Sequence, residues 1–229
     1  MDKSVSVILP FFNGWQFTHR CMKKLYDHIH TPLEIILVDD CSTDDVAGPM
    51  GWWKEQSKHR VICIKTPRNL GFGGSMNLGA RRATEDVLIL LSNDVVISGN
   101  FLPAVLQNVD EKVLVGNTFR DYDTGWNVLE INGKPKMFPY LEGYFLACTK
   151  DAWKDLGGFD PLYAPYDAED MDLSTTALHK GYKLIPLNSR MLSHLSGQTI
   201  RKVNPNREEI TKRNLKRFVR KWSEILIDE

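Results

Sequence analysis

The sequence predicts an α/β fold: a Rossmann-like, mostly parallel central sheet flanked by helices, followed by a smaller β region and a C-terminal helix. Three observations predict it. Short apolar runs alternate with segments of helical periodicity through the first half of the chain, the pattern of a doubly wound sheet. The run from Glu34 to Val38 holds nothing polar inside it, as a strand covered on both faces requires. Clusters of acids and small polar residues stand directly after the runs, where open α/β sheets place their ligands.

Taken in order, Val5 to Leu9 is a β-rich run stopped by Pro10. After a turn at Asn13-Gly14, Phe17 to His28 carries apolar residues at helical spacing. Glu34 to Val38 is the second strand, with Asp39 and Asp40 at its C-terminal end. Val61 to Ile64 is the third, followed by the glycine-rich Asn69-Leu70-Gly71-Phe72-Gly73-Gly74, read as a loop, and a helix from Ser75 to Ala83. Val87 to Leu91 is the fourth, ending in Ser92-Asn93-Asp94. Beyond Gly116 the strands shorten. Asn132-Gly133 between Val128 to Ile131 and Lys134 to Met137 is a hairpin signal. A helix over Leu173 to His179 and a strand over Lys183 to Pro186 precede His194, which stands in a polar, loop-like setting. From Arg201 to Trp222 there are nine Lys or Arg against two Glu, on a helix whose apolar side is Ile210, Leu215, Phe218 and Trp222.

The composition limits the classes of function. With 229 residues, 42% of them hydrophobic, the chain has apolar mass for one sizeable core. Lys plus Arg is 29 and Asp plus Glu is 29, so no overall field attracts nucleic acid or an anionic membrane. The longest purely apolar stretch, Val87 to Leu91, is far short of the roughly 20 residues of a bilayer span. Met1-Asp2-Lys3-Ser4 runs straight into a strand with no cleavage site, so a cytoplasmic protein is expected. Cys21, Cys41, Cys63 and Cys148 are scattered without a Cys-x-x-Cys pair, which argues against a disulfide framework and a thiolate zinc site.

Five constellations carry chemistry. Asp39 and Asp40 at a strand end suit acceptance of hydrogen bonds from a ribose or a base, or capping of a helix. The glycine-rich segment fits neither a P-loop nor Gly-x-Gly-x-x-Gly, because Met76 stands at the third glycine position; it either offers helix N–H groups to a diphosphate or packs tightly on the sheet. Asp94 suits a hard divalent cation such as Mg2+ or Mn2+, or caps the following turn. The acids Asp167, Glu169, Asp170 and Asp172 repel one another and raise each other's pKa; a general base there competes with acids that merely complement a helix dipole. That second reading suits Asp167 and Asp172 better than Glu169 and Asp170. His194 is a ligand or a satisfied structural histidine.

In this order the pieces resemble an inverting glycosyltransferase of family 2 with the GT-A fold, close to its rhamnosyltransferase-like bacterial members. The resemblance rests on Ser6 to Asn13, Val38 to Asp44, Arg68 to Asn77, Leu91 to Asp94, Gly157 to Asp160, Glu169 to Leu173 and His194. It implies a GT-A domain over residues 1–200 and a basic amphipathic helix over 201–229. It further implies that Pro10, Phe12, Asn13, Asp39, Asp40, Asn69, Gly71, Asn77 and Asn93 border the nucleotide sugar. Asp94 corresponds to the last acid of the family's Asp-x-Asp motif, with Ser92 in place of the first. Asp94 and His194 would hold Mn2+ or Mg2+, and Asp170, seconded by Glu169, would be the catalytic base. Gly143-Tyr144-Phe145 and Trp153 offer aromatic surface for a sugar or for the core.

The implied reaction moves a hexosyl or deoxyhexosyl unit from a nucleoside-diphosphate sugar to a glycan or lipid-linked hydroxyl, as in polysaccharide biosynthesis. A sugar-nucleotide nucleotidyltransferase is one rival, though the segment after the first strand, Phe11-Phe12-Asn13-Gly14-Trp15, lacks the glycine-rich basic loop of that class. A non-catalytic sugar- or nucleotide-binding pseudo-transferase is the other, and Asp94, Asp170 and His194 argue against it. The basic tail would cover the core, touch an anionic membrane surface, or, least in keeping with the rest, bind a DNA acceptor.

Overall fold

A computed structural model describes residues 3–120, 128–131, 133–195 and 206–225. The chain order is β1 (Val5–Phe11), α1 (Trp15–His28), β2 (Glu34–Asp39), α2 (Ala47–Gln56), β3 (Arg60–Lys65), α3 (Gly71–Arg82), β4 (Val87–Leu91), β5 (Val95–Ile97), α4 (Leu102–Asn108), β6 (Val113–Gly116) and β7 (Phe119–Arg120). Then come β8 (Val128–Ile131), β9 (Lys134–Met137), β10 (Tyr140–Leu141), β11 (Phe145–Thr149), α5 (Lys150–Leu156), a 3-10 turn (Pro161–Tyr163), α6 (Glu169–His179), β12 (Lys183–Pro186), β13 (Leu192–His194) and α7 (Arg207–Ile225).

A seven-stranded sheet runs in the order β12-β6-β11-β4-β1-β2-β3. The neighbours β3, β2, β1 and β4 are parallel, whereas β11 runs antiparallel between β4 and β6. The mixed sheet follows from chain entry: β11 arrives from the strand-rich segment and not from a crossover helix. One face packs on α1, α2 and α4 through Cys21, Met22, Leu25, Trp53, Leu102 and Val105. The other packs on α3, α5 and α6 through Met76, Ala80, Trp153, Leu156, Leu173 and Ala177. Gly79 allows the closest approach, since a Cβ there would lie 2.3 Å from Ile8 Cγ2. Small two-stranded sheets, β7 with β10 and β8 with β9, lie in the expected second β region beyond Gly116, and β5 pairs with β13.

Several boundaries differ from the sequence expectation. β1 does not stop at Pro10 but continues to Phe11, pairing Pro10 with Val38. Its pairing with β4 ends at Ile8 with Leu90, so Pro10 sits where one neighbour has already ended and a missing N–H costs little. The glycine-rich segment is no loop: α3 starts at Gly71. α6 starts at Glu169, four residues earlier than the apolar pattern, and α1 at Trp15. His194 lies in a strand paired with Val95, not in a loop. The hairpin β8–β9 forms with Gly133 at φ 76; Asn132, Gly197 and residues 201–205 of the basic tail lie outside the described residues.

α7 packs its apolar side on Phe138, Tyr163 and Met171 through Phe218 and Trp222, both buried. The tail thus covers core, with Lys212, Lys216 and Arg220 left exposed. Among the described residues, no helix is long and apolar enough to cross a membrane.

Candidate active site

The parallel strands β3, β2, β1 and β4 deliver their C-terminal ends to one rim, and the loops after β1 and β2 are stapled together there. Asn13 N donates to Ser42 Oγ at 2.8 Å, Thr43 N to Asn13 Oδ1 at 2.9 Å and Gly14 N to Asp44 Oδ2 at 3.0 Å. Asn13 holds a left-handed backbone, φ 54, which asparagine tolerates better than most residues. Pro10 is buried within β1, and Phe12 is half-buried just past its end.

Asp39 is fully buried: Oδ1 accepts from Ser42 N at 2.8 Å, while Oδ2 takes no hydrogen bond and faces the Lys65 ammonium at 3.4 Å. Asp40 reaches across to cap α3. Its Oδ1 accepts from Leu70 N at 2.7 Å and Thr66 Oγ1 at 3.2 Å, and its Oδ2 from Gly71 N at 2.9 Å. Burial nevertheless lifts its pKa above the ordinary value, against those hydrogen bonds. Asn69 donates to Asp40 O at 3.3 Å and accepts from Gly71 N at 3.0 Å. Phe72 N donates to Pro165 O at 2.8 Å.

The N–H groups of Gly71 and Phe72 are therefore taken by the chain itself, as close packing of the glycine-rich segment requires. Gly71 is needed because φ is +77 and a Cβ would lie 2.7 Å from Pro165 O. Two other residues expected at the nucleotide make hydrogen bonds within the protein. Asn77 binds both backbone groups of Phe159, at 2.7 and 3.0 Å, and Asn93 donates to Thr18 Oγ1 at 3.0 Å.

Past the end of β4, Asp94 Oδ1 accepts from Ser92 Oγ at 2.6 Å and meets His194 Nε2 at 3.0 Å. Burial opposes ionisation of Asp94, but the hydrogen bond and charge of His194 and the Ser92 hydroxyl outweigh it and hold the carboxyl below its usual range. The His194 ring stacks on Tyr144, centroids 4.6 Å apart and planes 16° from parallel. Ser92 N donates to Tyr144 O at 2.8 Å.

Next to Tyr144, Gly143 N donates to Asp170 Oδ2 at 2.9 Å, and Met171 N donates to Asp170 Oδ1 at 2.9 Å. Burial pushes Asp170 up to about 6; those two N–H groups oppose the rise, and the charges of Asp167 and Glu142 add to it. Glu169 is buried, its Oε2 takes no hydrogen bond, and burial with the Asp170 charge raises its pKa well above the ordinary value. The other acids of the cluster are engaged. Asp172 accepts from Tyr163 Oη at 3.1 Å, Trp222 Nε1 at 2.8 Å and Lys221 Nζ at 2.7 Å; Asp167 accepts from Thr211 Oγ1 at 2.6 Å.

One rim therefore carries an Asp–His pair and a buried carboxylate pair with raised pKa values, joined through Tyr144 and Gly143. The sequence matches the family model described as Glycosyl transferase family 2 over residues 6–153, more than half of the chain. The chain belongs to glycosyl transferase family 2. This family 2 chain is 27% identical to glycosyltransferase GlyG of Streptococcus pneumoniae over 126 residues, 54% of the chain and 41% of GlyG. It is 25% identical to N-acetylgalactosaminyltransferase 4 of Drosophila melanogaster over 96% of the chain and 40% of that protein. It thus spans about two fifths of the length of these relatives. Among solved structures, GalNAc-T7 with UDP, GalNAc and Mn2+ aligns at TM-score 0.74 and 20% identity, covering 95% of the chain and 48% of GalNAc-T7. Mannosyltransferase PcManGT from Pyrobaculum calidifontis, with GDP-Man and Mn2+, aligns at 0.65 and 21%, covering 81% and 55%. The fold of the family 2 chain is GT-A.

Sequence reasoning missed the part played by Tyr144 and Asn117 around His194. Tyr144, Phe145 and Trp153, weighed as a sugar-stacking surface, are buried, and the ring facing Tyr144 is an imidazole.

Proposed function

We propose that the chain transfers a sugar from a nucleoside-diphosphate sugar to an acceptor hydroxyl, with inversion and with the help of Mn2+ or Mg2+. The reading is carried by the path Asp94, His194, Tyr144, Gly143, Asp170, which links a candidate cation pair to a candidate base. The donor set fits a divalent cation: one carboxylate and one imidazole lie within 3.0 Å. Diphosphate oxygens and water would supply the other ligands, as is common for such cations.

Asp94 and His194 would hold the cation, exchanging their mutual hydrogen bond for it. When bound, the cation supplies Lewis-acid neutralisation of the departing diphosphate. Phe12, Asn13 and Asp39 would border the nucleoside, with Asp40, Asn69 and Gly71 shaping that wall from behind. Asp170 would take the proton of the acceptor hydroxyl as its oxygen bonds to the anomeric carbon and the sugar–phosphate bond breaks on the opposite face. A single displacement inverts the anomeric centre. A carboxyl lifted to about 6 is a stronger base than an ordinary one and is still ionised at neutral pH.

The glycan or lipid-linked acceptor is proposed to sit at the inner face of the membrane, with exposed Lys212, Lys216 and Arg220 making a salt-sensitive contact with anionic lipid. Replacing all three by Glu should abolish liposome sedimentation at low salt; undiminished sedimentation contradicts the contact.

The test of function is a panel of nucleotide sugars with Mn2+ and candidate acceptors. Free nucleoside diphosphate should appear faster with acceptor than without it. Pyrophosphate as product would favour nucleotidyl transfer, and tight binding without release would favour a binding module.

A further inference from the structure

We propose that Tyr144, held by Asn117, is a positioning residue that fixes the plane of the His194 imidazole in front of Asp94. The inference rests on the reading of Asp94 and His194 as the cation pair. Tyr144 is 7% exposed, and its ring lies almost parallel to the imidazole. Its phenol oxygen accepts from Asn117 Nδ2 at 2.9 Å and shares a hydrogen bond of 2.6 Å with Thr118 Oγ1. Both ends of the ring are thus specified, one by the stack and one by a buried hydrogen-bond pair.

Asn117 does more than hold the phenol. Its Nδ2 also reaches Leu192 O at 3.2 Å and Ser189 O at 3.4 Å, its Oδ1 accepts from Ser189 N at 2.8 Å, and its carbonyl accepts from Asn188 N at 3.0 Å. One buried amide therefore sets both the aromatic ring and the segment that delivers His194. The Tyr144 carbonyl meanwhile accepts from Ser92 N, two residues before Asp94. Both members of the cation pair are located through the same two residues.

Such support matters because the His194 side chain is 28% exposed and stands at the end of a three-residue strand. A flat ring stacked on one face restricts the imidazole to the plane from which Nε2 meets Asp94. Outer partners that orient a ligating group commonly change metal affinity by about 10- to 100-fold when removed.

The test is titration of Mn2+ by electron paramagnetic resonance, in the presence of UDP or GDP, alongside thermal melts. Tyr144→Leu removes the stack and should weaken Mn2+ affinity about 10- to 100-fold. Tyr144→Phe keeps the ring and should retain most of the affinity, a rescue that a purely space-filling role with Leu would not require. Asn117→Ser should fall between them, and it carries the test together with Tyr144→Phe if the Leu variant does not fold. Wild-type affinity in both Tyr144→Leu and Asn117→Ser, or an Asn117→Ser loss no larger than that of Tyr144→Phe, overturns the positioning role. An Asp94→Asn variant with unaltered affinity overturns the underlying cation pair as well, whereas loss in Asp94→Asn with none in Tyr144→Leu overturns the positioning role alone.

Discussion

Asp40 and Glu169 are both buried acids beside a helix start, and the chain treats them in opposite ways. Asp40 is filled by two backbone N–H groups and a hydroxyl, and the start of α3 depends on it. Glu169 Oε2 takes no hydrogen bond, and next to it Asp170 is lifted to about 6. Asp172, only two positions beyond Asp170, is again saturated by Tyr163, Trp222 and Lys221. Native structures rarely leave buried polar atoms unpaired, and perturbed carboxylates gather where chemistry is done. Asp40 and Asp172 hold the frame, whereas Glu169 keeps an unpaired oxygen next to Asp170, whose two backbone partners do not offset its burial; this is the pair proposed for proton transfer.

The sharpest way to break this contrast is Asp170→Asn. Loss of a general base should lower kcat by about 10²- to 10⁴-fold, while Mn2+-dependent donor affinity measured by calorimetry stays at the wild-type value. Undiminished turnover would move the base elsewhere, first to Glu169. The frame side is tested by Phe218→Ala on α7, which should cost about 3–5 kcal/mol in urea unfolding; a loss below ~1 kcal/mol would mean that the helix does not cover core.

The pH dependence sharpens the contrast further. Because burial raises Asp170, the acid limb of kcat/KM should fall near pH 6 and not near 4. Stability runs the other way: the folded state keeps protons that the unfolded chain releases. Its contribution is complete below the unfolded value of about 4 and is lost as pH rises through about 6. Burial and the Asp170 charge raise Glu169 as well, and because burial is the first cause of the Asp170 shift, Glu169→Gln should leave the kinetic limb in place. A limb that moves toward pH 4 in that variant would show that Glu169 carries charge. The smallest effect is expected from Asn77→Ala, roughly 1–3 kcal/mol of stability for the unpaired Phe159 groups, with no change in donor binding; a selective loss of donor affinity would return Asn77 to the nucleotide site.

Much of the frame was legible because local pattern decided it. β4 and β12 fall where their apolar runs lie, and the hairpin strands fall on either side of Gly133. Pattern failed where distant groups decide. Gly71 to Gly74 look like loop, yet the carboxylate of Asp40, 31 positions before Gly71, and the Pro165 carbonyl start a helix there. α2 contains Gly48, Pro49 and Gly51 and presents no clear apolar stripe.

The site was legible in its acids and less so in its supports. Glu169 and Asp170 stood out because a helix dipole explains Asp167 and Asp172 more easily, although those two are engaged by α7 and not by solvent. Asn117 gave no signal, since its partners lie 27 to 75 positions away. Sequence position did not reveal that Asn77 binds the backbone of Phe159 or that Asn93 donates to Thr18.

The most direct test is a crystal of the chain grown with Mn2+ and a nucleoside diphosphate, read by manganese anomalous scattering. The ion should lie within coordination distance of both Asp94 and His194, bridging the diphosphate, with the open end of the nucleotide toward Asp170. Manganese on Asp39 or Asp40, or a diphosphate seated on the start of α3, would contradict the account.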